Sequence, residues 1–576
     1  MVDILRRIEA WLSRPYPERG TYNNWKEAFL ALVGYSIGLG NLWRFPYLCY
    51  KYGGATFIIT YGVCMLCLGM PLYFMELALG QYVSLGPIQL FSCMSPLFSG
   101  VGWGMLLILL LISVYYNVLL AWAVFYMGSS FRTPLPWSHC DNDFNSDECH
   151  SYSQEKFYPA AQDFFNYGVL GKTEVDGWYK MQGWLVLCLA IAWVLVAAYL
   201  GGGIRGTGKV LYFTVIYPYI ILICLFALNY DTTDERLRNL RFKSFSTVST
   251  EKLLHLNIWN DAAGQVIYSL GVALGGITTL ASYNSLNHNI IRDSFLICLL
   301  ESVTSIFCGY VFFSSAAVVT DEMIQDSNRI STMAFTTLSA LLARIGVPLW
   351  SFACFFMILT LGLDSQFVMV EAMITALYDQ FKVMRRRHLP VVVATCSVLF
   401  ILGLPMCTRN GIIVFNLMNV YSNKHSLFML GLLEVIIVSY IYGFQNMMNI
   451  VKTDLRLWVP KLLYWYWAIT WRAITPLFLL ALTVSSVYSE DWSGGDSPVT
   501  FICGQFIAFM PILLVPIFAL HKICTRGDQS LRELLNSLAS FSPEYERNGR
   551  FVRNNSQNPP ENEYYIDNAA FNLQEL

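Results

Sequence analysis

Charge is what this chain has least of: Lys, Arg, Asp and Glu together make up 13% of its 576 residues, and the two signs nearly cancel at a net charge of -2. Such a balance leaves no basic face for a nucleic acid. The marks of enzyme chemistry are also missing. There is no Walker A loop, no nucleophile-base motif and no His-rich metal spacing, with only 7 histidines along the chain. The opening residues lack the charged, apolar and small-residue order of a cleavable signal.

What fills the chain is apolar sequence, 55% by count. About twelve runs of membrane-spanning length fall between 28 and 523, which predicts an all-α polytopic membrane protein. An even number of spans puts both termini on one side. Arg6, Arg7, Arg14 and Arg19 precede the first run, Lys382 and Arg385 to Arg387 follow the eighth, and Lys452, Arg456 and Lys461 follow the tenth. Positive charge of this kind stays in the cytoplasm, so both termini are expected there. The expected layout is a cytoplasmic segment 1–27, a transmembrane unit 28–523 with an extracellular loop 129–182, and a polar cytoplasmic tail 524–576. Ile4, Leu5, Ile8, Trp11 and Leu12 share one helical face and suggest a short helix on the inner membrane surface. Membrane lipid is then an obligatory partner, while oligomeric state has no sequence signal. Most of the 15 cysteines lie inside apolar runs as small hydrophobes. Cys140 and Cys149 instead flank the polar segment DNDFNSDE on the oxidising side, and read as one disulfide or as two free thiols. The sequon at Asn554 falls in the cytoplasmic tail, where glycosylation is not expected.

Two apolar runs are interrupted. The first carries GYSIGLGNLWRFPY from Gly34 to Tyr47, with Asn41 and Arg44 among three glycines. Gly34 and Gly38 alone could be a packing notch between helices. Polar and ionised side chains at that depth favour an ion or substrate pathway. The sixth repeats the anomaly in QVIYSLGVALGGITTLAS, Gln265 to Ser282, with Gly271, Gly275 and Gly276 mid-run. Broken first and sixth helices are the pattern of transporters built from two inverted five-helix repeats, with substrate and ions held at the breaks. Unwound carbonyls offer hard oxygen ligands to a cation, and half-helix N-termini offer N–H groups to a carboxylate.

With GLGNLWRFPY in the first run, Tyr115-Tyr116-Asn117 in the third, LPW beside the loop cysteines, SLGVALGGITTLASYNS in the sixth and LTLGLDSQF in the eighth, the chain resembles the neurotransmitter:sodium symporter family over nearly its whole length. Its motifs look most like those of glycine and proline carriers within the amino-acid and GABA branch. Gly38 stands where monoamine carriers have an aspartate. The resemblance implies sodium-coupled symport of a small neutral amino acid or derivative across the plasma membrane by alternating access.

It also implies sites. One sodium would meet Gly34, Ile37, Leu361, Asp364 and Ser365. A second would meet Ser36, Asn41, Ser269 and residue 301, which is Glu301 here in place of the family's asparagine. Tyr61, Gln265, Ser269 and Ser305 match a chloride site, so chloride as a second coupling ion depends on Glu301. An ionised Glu301 would bind sodium and repel or replace chloride, whereas a neutral one would mimic the asparagine. The substrate would lie against Ser36, Gly38, Leu39, Gly40 and Tyr116. Ile112, Tyr268, Leu274 and Met369 would bound its side chain, and Gly271 would leave room. Arg44 would guard the outer gate, but its usual aspartate partner is Asn419, with Lys424 and His425 adding positive charge nearby. Arg19 and Asp379 would close the inner gate. Glu301, Asn419 and Lys424 also keep open a different class: a transporter-like receptor or an uncoupled substrate-gated channel.

Overall fold

The computed structural model describes residues 20–147, 149, 157–172, 180–232, 246, 248–315, 330–422, 425–488 and 498–525. Arg19, Lys424, the amphipathic N-terminal stretch and the tail beyond 525 lie outside the described residues. Helices dominate, and among the described residues the only β pairing is an isolated bridge between Met181 and Thr408.

Among the described residues, ten helices are long and apolar enough to cross a membrane. The interrupted first and sixth spans bring the number to the expected twelve. The second to fifth spans are Gly54–Val83, Pro96–Ser129, Gly183–Gly201 and Gly206–Leu228. The seventh to ninth are Ile290–Val311, Pro348–Gln380 and Val383–Cys407. The tenth runs as Gly411–Tyr421 and His425–Ile436, and the last two are Lys461–Tyr488 and Pro498–Thr525. A further helix, Ile330–Ile345, connects the seventh and eighth spans.

The first span is three helical pieces, Trp25–Ser36, Leu39–Leu42 and Arg44–Tyr52. Its start is capped from both directions: the Glu27 N–H donates to Asn24 Oδ1 at 3.0 Å, and the Asn23 N–H donates to Glu27 Oε2 at 3.2 Å. The helix stops at Ile37, and Gly38 is extended at φ -117 and ψ -162. The sixth span is Leu256–Leu270 followed by Gly276–Ala281. Between them Gly271, Ala273 and Gly275, at alternate positions, take left-handed φ values of 71, 60 and 80 and end the helical hydrogen bonding.

Side chains from elsewhere hold these breaks open. Glu76 of the second span accepts the Ala273 N–H at 2.5 Å, so an amide freed by the unwinding is paired inside the protein. Tyr35 ties the two breaks together: a Cβ on Gly271 would lie 2.2 Å from its ring, and one on Gly276 would lie 2.4 Å from its hydroxyl. The third and eighth spans form the scaffold beside them, joined where Gln366 Nε2 donates to Ser113 Oγ at 2.7 Å and where Leu120 fills the notch at Gly362.

Candidate functional site

The expected site residues meet where the two breaks face the seventh and eighth spans. Ser269, one residue before the sixth helix ends, has its Oγ 2.5 Å from Glu301 Oε1, 2.8 Å from Asn41 Oδ1 and 3.4 Å from the Ser36 carbonyl oxygen. One hydroxyl hydrogen can serve only one of these three acceptors. Four oxygens from three spans are therefore gathered around a point short of protons, which is the chemistry of a cation site.

Glu301 is fully buried, and its carboxylate is ringed by donors. The Tyr61 hydroxyl donates to Oε2 in a short hydrogen bond, Ser305 Oγ donates to Oε1 at 3.0 Å, and Asn41 Nδ2 approaches Oε1 at 3.4 Å. Three of the four residues expected around chloride, Tyr61, Ser269 and Ser305, thus turn their hydroxyls to this side chain. Gln265 is the exception: its Nε2 donates to the Gly40 carbonyl at 3.4 Å.

The other group sits half a turn away along the first span. Asp364 packs on Gly34, where an added Cβ would lie 3.2 Å from Asp364 Oδ2, and Ser365 Oγ donates to the Gly34 carbonyl at 3.3 Å. Ile37 and Leu361 line one small pocket together with Gly38, Asn41 and Thr304. Tyr199 of the fourth span donates to Asp364 Oδ1 at 2.9 Å and leaves Oδ2 toward Gly34.

At the break itself the Leu39 N–H and the Tyr116 hydroxyl lie 3.3 Å apart. Gly38 is narrow ground, since a Cβ there would be 2.6 Å from Ser365 Oγ and 3.2 Å from the Tyr116 hydroxyl. Gly40 faces the Tyr268 ring, 3.5 Å from a Cβ. Ile112, Leu274 and Met369 are buried. One expectation is corrected here: Gly271 leaves no room, because the Tyr35 ring occupies the space its missing side chain vacates.

The gates depart from expectation in part. Arg44 makes no hydrogen bond to Asn419 among the described residues; its guanidinium carbon lies 5.4 Å from the centre of the Tyr268 ring. His425 is not at a solvated mouth. It is buried, with Nδ1 2.9 Å from Ser486 Oγ and its ring stacked on Phe509, because this turn of the tenth span faces the last two helices. At the expected inner gate Asp379 accepts the Gly86 N–H at 2.7 Å and pairs with Arg385 at 2.8 Å. Cys140 and Cys149 form a disulfide with their Cα atoms 5.8 Å apart.

Sequence reasoning missed Tyr35, Glu76, Tyr115 and Tyr199. Tyr115 and Tyr35 lie inside the motifs, but nothing in a motif says which partner a ring meets. Glu76 had one usable signal: an acid within an apolar span always needs a partner.

An all-α membrane protein with two opposed helix breaks and paired cation-type oxygen clusters is a secondary transporter in architecture. Residues 19–526 match the Sodium:neurotransmitter symporter family, and the chain belongs to it. It is accordingly a transporter and not an enzyme. The human sodium- and chloride-dependent neutral and basic amino acid transporter B(0+) is 34% identical over 574 residues, covering 90% of this chain and 88% of that protein. The Xenopus laevis sodium- and chloride-dependent glycine transporter 1 is 33% identical, covering 90% and 87%. The Mus musculus sodium- and chloride-dependent GABA transporter 2 is 33% identical, covering 90% and 89%.

Proposed function

We propose that this protein is a plasma-membrane symporter that couples a small neutral amino acid to sodium, and that the Glu301 carboxylate takes the place of a chloride ion. The observation that carries the second half is the ring of hydroxyls from Tyr61, Ser269 and Ser305 around that carboxylate. An anion and a carboxylate accept the same donors, and two negative charges do not share one buried cage. Sodium, as cargo, would bind Ser36, Asn41, Ser269 and Glu301 in one place and Gly34, Ile37, Leu361, Asp364 and Ser365 in the other.

The substrate carboxylate would meet the Leu39 and Gly40 N–H groups and the Tyr116 hydroxyl, beside the first sodium. Each partner then improves the site for the other, and the coupling is reciprocal. The closeness of Ser365 and Tyr116 to Gly38 favours a small substrate, in line with a relative named as a glycine transporter.

The test is uptake of labelled amino acids and GABA into vesicles carrying the full chain, with sodium and chloride replaced separately. Accumulation should need sodium and survive replacement of chloride by gluconate. Glu301→Asn should lose most uptake in gluconate and regain it in chloride. Full chloride dependence of the native protein would sink the carboxylate reading. Substrate-evoked current without accumulation would instead establish an uncoupled channel.

A further inference from the structure

We propose that the outer gate of this transporter is latched by a hydroxyl bridge between Tyr115 and Tyr268, with Tyr115 as a positioning residue that holds the Tyr268 ring over the central site. The inference rests on the transport reading above and deepens it at the outer gate.

Asn419 on the tenth span offers Arg44 no charge, and among the described residues Arg44 forms no ion pair. Its guanidinium instead lies over Tyr268 at 5.4 Å from the ring centre, a distance at which a cation is attracted to an aromatic face. Tyr268 is well placed to be a lid, because its ring lies against Gly40 in the first-span break. A cation over a ring does not fix how that ring is turned. The Tyr268 hydroxyl supplies the missing constraint, 3.2 Å from the hydroxyl of Tyr115.

Tyr115 is rigid enough to serve as the anchor. It is fully buried in the third span, and its ring meets Phe415 edge-on at 5.9 Å. Phe415 lies on the tenth span four residues before Asn419, about one helical turn. Contacts therefore run from Arg44 through Tyr268 and Tyr115 to Phe415, joining the first, sixth, third and tenth spans. An Arg44 ion pair at position 419 would have linked the first and tenth spans directly. The hydroxyl bridge reaches the same two ends without a second charge, and so it is far less open to screening by salt.

The experiment measures opening without requiring flux. In intact cells expressing the full chain with Ile112→Cys, the reaction of that thiol with a membrane-impermeant methanethiosulfonate is timed in sodium buffer. Protein carrying only native cysteines gives the background to subtract. Loss of one net hydrogen bond predicts labelling roughly five- to tenfold faster for Tyr115→Phe and for Tyr268→Phe. The double variant should be no faster than either single one, because both remove the same bond. Asn419→Asp added to Tyr115→Phe should slow labelling again by restoring a direct pair with Arg44. Single variants that label at the wild-type rate, double-variant effects that multiply, or no rescue by Asn419→Asp would each overturn the proposal. Phenylalanine keeps both rings, and surface expression checks folding; if one single variant fails to reach the surface, the other with Asn419→Asp decides. Failure of symport would appear separately, as absent sodium-driven accumulation by the wild-type protein.

Discussion

Gly271 shows how much one missing side chain can carry. Its φ of 71 is a conformation that β-carbon-bearing residues adopt at a cost of about 1 kcal/mol, and a methyl group there would also collide with Tyr35 at 2.2 Å. The two effects act on one residue, so Gly271→Ala should cost about 2–4 kcal/mol. Gly62 in the second span is the control, because nothing lies within 4 Å of a Cβ placed there. Thermal midpoints of the purified protein should fall by several degrees for Gly271→Ala and stay near wild type for Gly62→Ala. Equal midpoints would mean that the break tolerates a side chain and that Tyr35 is not its limit. The glycine itself is visible in the sequence. Its reason is not, because Tyr35 lies 236 residues away along the chain.

At the scale of the element, the sixth-span break is held from the second span. Glu76 Oε1 pairs with the Ala273 N–H, which has no helical partner once Gly271 and Ala273 have turned left-handed. Glu76→Ala would leave that amide unpaired in a dry interior, a loss of about 1–3 kcal/mol. Glu76→Gln keeps an acceptor oxygen at the same reach and should recover most of the loss. The readout is the temperature at which half of the detergent-purified protein stays monodisperse. A glutamine variant as weak as the alanine variant would show that charge, and not the hydrogen bond, matters here. The existence and position of both breaks were legible in the sequence, because glycines and polar residues stand out in apolar runs. So were the twelve spans and the loop disulfide as one of two readings, whereas the residues that gather at Ser269 and at Gly34 were legible only through the family resemblance. What stayed hidden was every partner that depends on which face a helix turns inward. Tyr199 on Asp364, Tyr115 on Tyr268 and the burial of His425 are of this kind. The helix Ile330–Ile345 was also unforeseen, since it is amphipathic and shorter than a span.

At the scale of the molecule, the centre is closed from two sides by contacts of different chemistry. At the Trp43 end of the first span Phe335, carried by that connecting helix, packs against Trp43, Trp122 and Tyr126 at ring distances of 6.3, 5.6 and 5.6 Å. At the Trp25 end of that span the Tyr22 N–H donates to the Tyr283 carbonyl at 3.2 Å, the Tyr283 hydroxyl donates to Glu371 at 2.8 Å, and Arg292 covers Trp25 at 4.3 Å. Ile112, Tyr116, Leu274 and Met369 between them are 2%, 4%, 3% and 4% exposed. A carrier must open these two closures in turn, and each closure disfavours one of the two open states. Weakening one should shift the population toward opening on that side, by no more than the free energy removed. Phe335→Ala should therefore speed external labelling of Ile112→Cys, and Tyr283→Phe should slow it by drawing the protein toward the inward-open form. Inverted vesicles should give the opposite order for the same two variants. The combined variant should fall between them, because the two shifts oppose each other. Faster labelling from both sides for either single variant would mean that the two closures are independent and that access does not alternate between them.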